Sequence, residues 1–303
     1  MSTLPDFEPI CKGQGGAVEL TIEPRVRDLG GFTVRRVLPC ASRRMVGPFI
    51  FFDEMGPVTL PPGRGFDVRP HPHIGLATIT YLFDGEIIHR DSLGFVQPIR
   101  PGAVNLMTAG RGIVHSERSG DDRAVEARLH GLQLWIALPD GAEETEPSFL
   151  HYPAEALPAL ELGGTQVRVV MGRAYGHASP VACYSPTLYL DARLAAGAAF
   201  EVPTEHRERA AYVVSGAVDV EGEGHCSSGV MIVARPGARL TMTAKEPSRV
   251  VVIGGEPVGP RHIWWNFVSS SKSRIEQAKE DWRAMRFGTV PGDDERIPLP
   301  DGS

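Results

Sequence analysis

Residues 71–94 read HPHIGLATITYLFDGEIIHRDSLG, and the fold follows from this stretch. Its centre, ATITYLF over Ala77–Phe83, is a short apolar run of β-branched and aromatic residues that stops at Asp84-Gly85. Such a run, bounded by turn residues, predicts a strand, a glycine turn and a returning strand. The same grammar recurs further along. TYLFDGEI (Thr80–Ile87) is followed by IRPGAVNLM (Ile99–Met107), and AYVVSGAVDV (Ala211–Val220) by ARPGARLTM (Ala234–Met242). Both copies read strand, Gly turn, strand, then R-P-G and another strand, which equates Gly85 with Gly216 and Pro101-Gly102 with Pro236-Gly237. An ordered internal repeat predicts two similar domains.

The rest of the chain fits that plan. Among 303 residues, 34 Gly and 26 Pro punctuate runs such as LQLWIAL (Leu132–Leu138), and 42% hydrophobic residues suffice for a sizeable core. Many short strands with little helical pattern predict an all-β protein of two antiparallel barrels. Pro and acidic residues gather after Leu138, which places a linker over 141–160 between barrels at 1–140 and 161–262. Residues 263–303 remain for a C-terminal helix and tail. Ile275, Ala278, Trp282 and Met285 recur at helical spacing, and Ser273 with Glu276 has capping-box spacing, so the helix is expected over Ser273–Met285. The Pro-rich TVPGDDERIPLP beyond it reads as an extended tail packing back on the barrels.

Composition excludes several classes. A net charge of -6 without a basic block argues against direct nucleic-acid binding. No apolar run is long enough to cross a membrane and no leader pattern opens the chain, so a cytoplasmic location is expected. Cys11, Cys40, Cys183 and Cys226 form no C-x-x-C pair and are expected to be reduced thiols.

The chemistry sits in two short patterns. His71 and His73 are two apart, as are His115 and Glu117 in GRGIVHSERSG. On strands each pair leaves one face, so two adjacent strands can converge four ligands on one ion. Three imidazoles and a carboxylate suit Fe(II), Mn, Ni, Cu or Zn, with coordination positions left for a chelating substrate or dioxygen. In the repeat register, the ligand positions fall on Val202, Thr204, Val250 and Val252, none able to replace them, so the second barrel is expected to hold no metal. His206 and Glu208 nearby read as surface contacts. His89, Arg90 and Asp91 fit either hydrogen bonding behind a ligand imidazole or a strand network. Glu86, Gln133 and Trp135 are candidates to line the pocket, while Trp264 and Trp265 are expected to pack the C-terminal segment onto a barrel.

HPHIGLATITYLFDGEIIHRDSLG, IRPGAVNLMTAGRGIVHSE and GLQLWIALP together resemble the signature of the pirin family within the cupin superfamily. The resemblance is dense from about Arg27 to Leu138, looser through the second barrel, and resumes at IWWNFVSSSKSRIEQAK. It implies a bicupin, with two stacked antiparallel jelly-roll barrels and an iron site in the N-terminal one. The family's four metal positions fall on His71, His73, His115 and Glu117. It further implies a quercetin 2,3-dioxygenase-like activity: a small aromatic flavonol cleaved with dioxygen at one divalent metal, Fe(II) before Mn, Ni, Cu or Zn. There Glu117 could also serve as general base. The alternative is an iron-dependent, redox-responsive regulator that binds a transcription factor or metabolic enzyme.

Overall fold

A computed structural model describes residues 9–13, 15–28, 32–120 and 124–300. The first barrel joins two antiparallel sheets. In the larger, strands run in the order Ser148–Tyr152, Val104–Thr108, Leu76–Asp84, Ala127–Ala137, Phe49–Leu60, Thr33–Leu38 and Arg25–Asp28. In the smaller the order is Asp67–His73, Ile113–Arg118, Ile87–Asp91 and Val96–Ile99. The second barrel repeats the plan. Its large sheet is built on Met231–Ala234, Glu208–Ser215, Ser248–Gly255, Thr187–Leu194 and Thr165–Ala174. The small one orders Ala199–Val202, Leu240–Ala244, Ala217–Val220 and Gly224–Ser227.

The large sheets pack face to face. Phe49, Phe52, Ile79 and Leu134 of the first barrel share one buried cluster with Met171, Tyr212, Val251 and Ile253 of the second. Tyr81 donates across this interface to Asp191 (2.9 Å) and Tyr212 to Glu54. Glu54 is also held by Arg35 (2.8 Å) and His130 (2.8 Å), which satisfies a carboxylate that would be costly to bury alone.

The chain ends are exchanged between the barrels. Strands Ile10–Gly13 and Val18–Glu23 extend the second barrel's sheet, where Val18–Ile22 pairs with Met231–Ala234. The C-terminal hairpin His262–Trp264/Phe267–Ser269 and the helix instead pack on the first barrel, burying Phe267, Ile275, Ala278 and Trp282 against Ile74 and Val114. The segment expected as a linker carries strand in its middle and at its far end: Ser148–Tyr152 pairs with the first barrel and Ala159–Leu162 with the second. Alternation of buried Phe149 with exposed Leu150 is the pattern that its Pro and acidic neighbours obscured.

Five expectations need correction. The helix runs Lys272–Arg283, capped by Ser271, whose hydroxyl accepts from Arg274 N (3.4 Å); Ser273 lies inside it. Met285 lies past its end in a left-handed turn and is exposed, so the buried stripe is Ile275, Ala278 and Trp282. Cys11 and Cys40 are joined as a disulfide, because the N-terminal hairpin carries Cys11 back over the first barrel; Cys183 and Cys226 are free.

The fourth correction concerns the repeat register. Gly102 N donates to Leu82 O (2.9 Å) just as Gly229 N donates to Val213 O (2.7 Å), and both glycines have positive φ. Gly102 therefore matches Gly229, and Pro236-Gly237 belongs to the next turn. Strand pairing then decides the equivalents. His71 pairs with His115 as Val202 pairs with Leu240, and Glu117 pairs with His89 as Met242 pairs with Val220. The positions matching His115 and Glu117 are thus Leu240 and Met242, while Val250 and Val252 lie on the large sheet. Val202, Leu240 and Met242 are buried in an apolar cluster and Thr204 is exposed. Glu208 accepts from Gly47 N (2.7 Å) and pairs with Arg43, so it is a half-buried contact between the barrels rather than a surface one. Among the described residues no helix is long and apolar enough to cross a membrane.

Candidate metal centre

Asp67–His73 and Ile113–Arg118 are antiparallel neighbours, and His71 and His115 are direct register partners. Their Cβ atoms therefore start only about 5 Å apart on one face. His73, two residues on, adds a third imidazole, and one nitrogen from each ring lies within 4.8 Å of the others. The ring centroids are 4.4–5.0 Å apart.

Outer contacts orient these rings. His71 Nδ1 faces Arg69 O at 2.8 Å and His73 Nδ1 faces Asn266 O at 3.1 Å, so in each the protonated nitrogen is Nδ1 and the Nε2 lone pair points inward. His73 Nε2 stands 3.1 Å from His115 Nε2, and His115 Nδ1 has no hydrogen-bond partner among the described residues. Inward lone pairs at that separation repel unless a proton or cation lies between them. Burial also lowers the basicity of the trio. His71 is pushed down to about 4, while His73 and His115 fall well below the usual imidazole range through burial and one another's charge. Three neutral, buried, converging imidazoles fit a first-row divalent ion.

Glu117 stands apart from that tight trio. Between it and His115 the pairing shifts: two steps on its own strand span three on the neighbour, from His71 to Val68. Pro70 occupies this bulge, and the corresponding second-barrel pairing, Leu240–Val202 to Met242–Phe200, is regular. A bulge re-aims the side chains beside it. Glu117 Oε1 lies 3.5 Å from the Thr80 hydroxyl, and burial pushes its carboxyl up to about 7, partly offset by Thr80.

His71, His73 and Glu117 open onto a cavity of about 460 Å³. Its wall is layered: Arg36 lies over Phe51 (4.5 Å), Phe51 stacks on Trp135 (4.0 Å), and Trp135 meets His73 edge-on (5.1 Å). Gln133 and Trp135 line it as anticipated. Glu86 does not, since it pairs with Arg100 (2.8 Å) beside a different depression. His89 is buried behind His115, their rings 5.4 Å apart, stacked on Phe149 and bonded to Asp91 (3.0 Å). Asp91 in turn accepts from Leu93 N and Phe95 N, so the pair both flanks the trio and ties down a turn.

Sequence reasoning missed the C-terminal contribution. Asn266 and Trp265 form the two-residue turn of the hairpin, with Trp265 at φ 51°, and the tail adds Ile297, whose N–H donates to Pro70 O (2.9 Å). The available signal was Trp265-Asn266 between two apolar pairs, a hairpin-turn spacing. Trp264 and Trp265 do pack this segment onto the first barrel.

Comparison with known proteins agrees with this geometry. The family described as Pirin matches residues 31–136, and the pirin C-terminal cupin domain matches residues 189–288. A pirin-like protein of Caulobacter vibrioides is 51% identical over 289 residues, covering 94% of this chain and all of that one. The crystal structure of a quercetin 2,3-dioxygenase from Acinetobacter baumannii superposes with a TM-score of 0.86 at 38% identity, covering 92% of this chain and 94% of that one. A bacterial pirin of Escherichia coli, solved in complex with nickel(II), shares the fold (TM-score 0.61, 19% identity, 77% and 96% covered).

Proposed function

The chain belongs to the pirin family, and from that premise we propose that it is a metal-dependent dioxygenase that cleaves flavonols such as quercetin. One observation carries the reading: three inward imidazoles meet a proton acceptor at the inner end of an aromatic-walled cavity. The named activity of the Acinetobacter baumannii relative supports it. His71, His73 and His115 would hold the ion through Nε2. A divalent ion there supplies Lewis acidity towards a chelating hydroxy-ketone and access to dioxygen, with Fe(II) preferred over Mn, Ni, Cu or Zn.

The protein's own groups do the rest. Glu117, held near neutrality by burial, accepts the flavonol's 3-hydroxyl proton, a task for which a pKa close to the working pH is well suited. The Thr80 hydroxyl, 3.5 Å away, favours the carboxylate, the form that takes the proton. Phe51 and Trp135 give the cavity an apolar aromatic lining, and its volume of about 460 Å³ lies within the usual small-molecule range of about 300–1,000 Å³.

The test is dioxygen uptake with quercetin by protein loaded in turn with Fe(II), Mn, Ni and Cu. Uptake above that of free metal, lost in His115→Ala, is expected. No uptake above free metal with any of the four ions would overturn the assignment.

A further inference from the structure

Across the inward face of the first barrel's large sheet runs a row of polar residues in register. Arg36 pairs with Asp53, Asp53 with Gln133, and Gln133 with Thr80, on four consecutive strands. Polar side chains in the middle of a sheet need a reason, because each loses water there. Two have internal explanations: Arg36 binds Asp53 through two bonds of 2.8 Å, and Thr80 donates to Gln133 Oε1 at 2.7 Å.

The remainder of Gln133 has none. It is half-buried between fully buried Leu132 and Leu134 on the central strand, so its exposed surface belongs to the cavity. Its carbonyl is taken by Thr80, which leaves the amide nitrogen as the group to face the cavity, and no described residue accepts from it. Beside it, Asp53 also lines the cavity, its oxygens keeping spare lone pairs after the Arg36 bonds. A fixed donor and a fixed acceptor thus stand on adjacent strands, their Cβ atoms about 5 Å apart. Trp135 lies two residues from Gln133 on the same face, and Thr80 links Gln133 towards Glu117.

We propose that Gln133 and Asp53 are the specificity pair of this cavity, selecting polyhydroxylated aromatic substrates over those with a bare ring. The proposal rests on the flavonol reading of the same site. With the chelating oxygens at the imidazole trio and the rings along Trp135 and Phe51, one ring oxygen accepts from Gln133 Nε2. A hydroxyl on the same substrate donates to Asp53. A ligand lacking these hydroxyls leaves both groups dehydrated and unpaired, which is how a polar site rejects an analogue.

The experiment is equilibrium binding of quercetin and of 3-hydroxyflavone to Zn(II)-loaded protein, followed by quenching of tryptophan fluorescence so that no turnover intervenes. Wild type should bind quercetin about tenfold more tightly, the worth of two modest hydrogen bonds. Gln133→Leu, which removes the donor, and Gln133→Glu, which keeps the Thr80 contact but replaces the donor with an acceptor, should each cut that ratio to about threefold or less. Binding of 3-hydroxyflavone should not weaken in either variant, and in Gln133→Leu it should tighten by up to about threefold because no donor is left unpaired. A ratio unchanged in both variants, or both ligands weakened equally, overturns the proposal. If the ratio behaves as expected while Fe(II)-, Mn-, Ni- and Cu-loaded protein consumes no dioxygen, the dioxygenase reading fails and the specificity pair stands. If neither flavonol binds, both fall.

Discussion

The two barrels share strand order, a left-handed glycine at matching turns and matching hydrogen bonds at Gly102 and Gly229, yet the interior of one is hollow and polar where that of the other is an apolar cluster. At corresponding positions the first barrel has His71, His73, His115 and Glu117, the second Val202, Thr204, Leu240 and Met242. The backbone also differs beside the site: the pairing of the strand that carries Glu117 shifts at Pro70, and its counterpart strand pair is regular. Each barrel is finished by the chain end that the other might have claimed. N-terminal strands extend the apolar barrel, whereas the C-terminal hairpin, helix and tail close one side of the hollow one and supply Asn266 to His73. The site therefore depends on chain far from its ligands in sequence.

The comparison breaks most severely if the apolar barrel tolerates the hollow barrel's chemistry. Met242→Glu places the residue found at position 117 into an apolar cluster without Thr80 beside it. An unpaired buried charge should cost on the order of 4–5 kcal/mol, read as a large fall in denaturant midpoint. A midpoint near wild type would mean that the second barrel has unrecognised space.

Next in size is the support from the C-terminal segment. Trp282 is buried and donates through Nε1 to Ile297 O (3.1 Å). Trp282→Ala should cost about 3–5 kcal/mol of the first barrel's stability and weaken metal binding with it. Unfolding followed by intrinsic fluorescence and metal titration should agree. Loss of stability without any change in affinity would uncouple the helix from the site.

Glu117→Gln separates base from ligand. In the structure the carboxylate stands with Thr80 outside the trio, so turnover should fall by about 10²-fold or more while metal affinity falls less. Affinity falling together with turnover by about 10²-fold would instead make Glu117 a fourth ligand, as the family resemblance implies.

The smallest effect is that of pH on metal affinity. Without metal, Glu117 carries a proton below about 7, while His71 stays neutral down to about 4 and the other two imidazoles lie well below their usual range. A divalent ion held by the imidazoles favours the charged carboxylate and so drives off part of that proton between roughly pH 5 and 7, and affinity should rise by less than about tenfold per unit and level off above 7. Calorimetry in two buffers of different ionisation enthalpy counts the proton. Glu117→Gln should flatten the slope, and a slope that persists would assign the proton to another group.

Much of this contrast was legible in the sequence, because H-x-H and H-x-E on strands need only the period of two to share a face. The repeat disclosed two barrels for the same reason, with Gly85 and Gly216 at turns where a Cβ would collide with Arg128 O or Pro247 O. The second half of the register was misread because R-P-G occurs at two different turns, and sequence similarity does not say which strands pair. What the sequence left hidden was long-range. Pro70 reads as a poor strand residue rather than as a bulge, Cys11 and Cys40 meet only through an exchanged hairpin, and Asn266 reaches His73 across 193 positions.

Metal stoichiometry tests the contrast most directly. Elemental analysis after loading and exhaustive dialysis should find one divalent ion per chain in wild type and none in the His71→Ala, His73→Ala double variant. Two tightly held ions per chain, or one that survives the double change, would contradict the account and place a metal in the barrel lined by Val202, Leu240 and Met242.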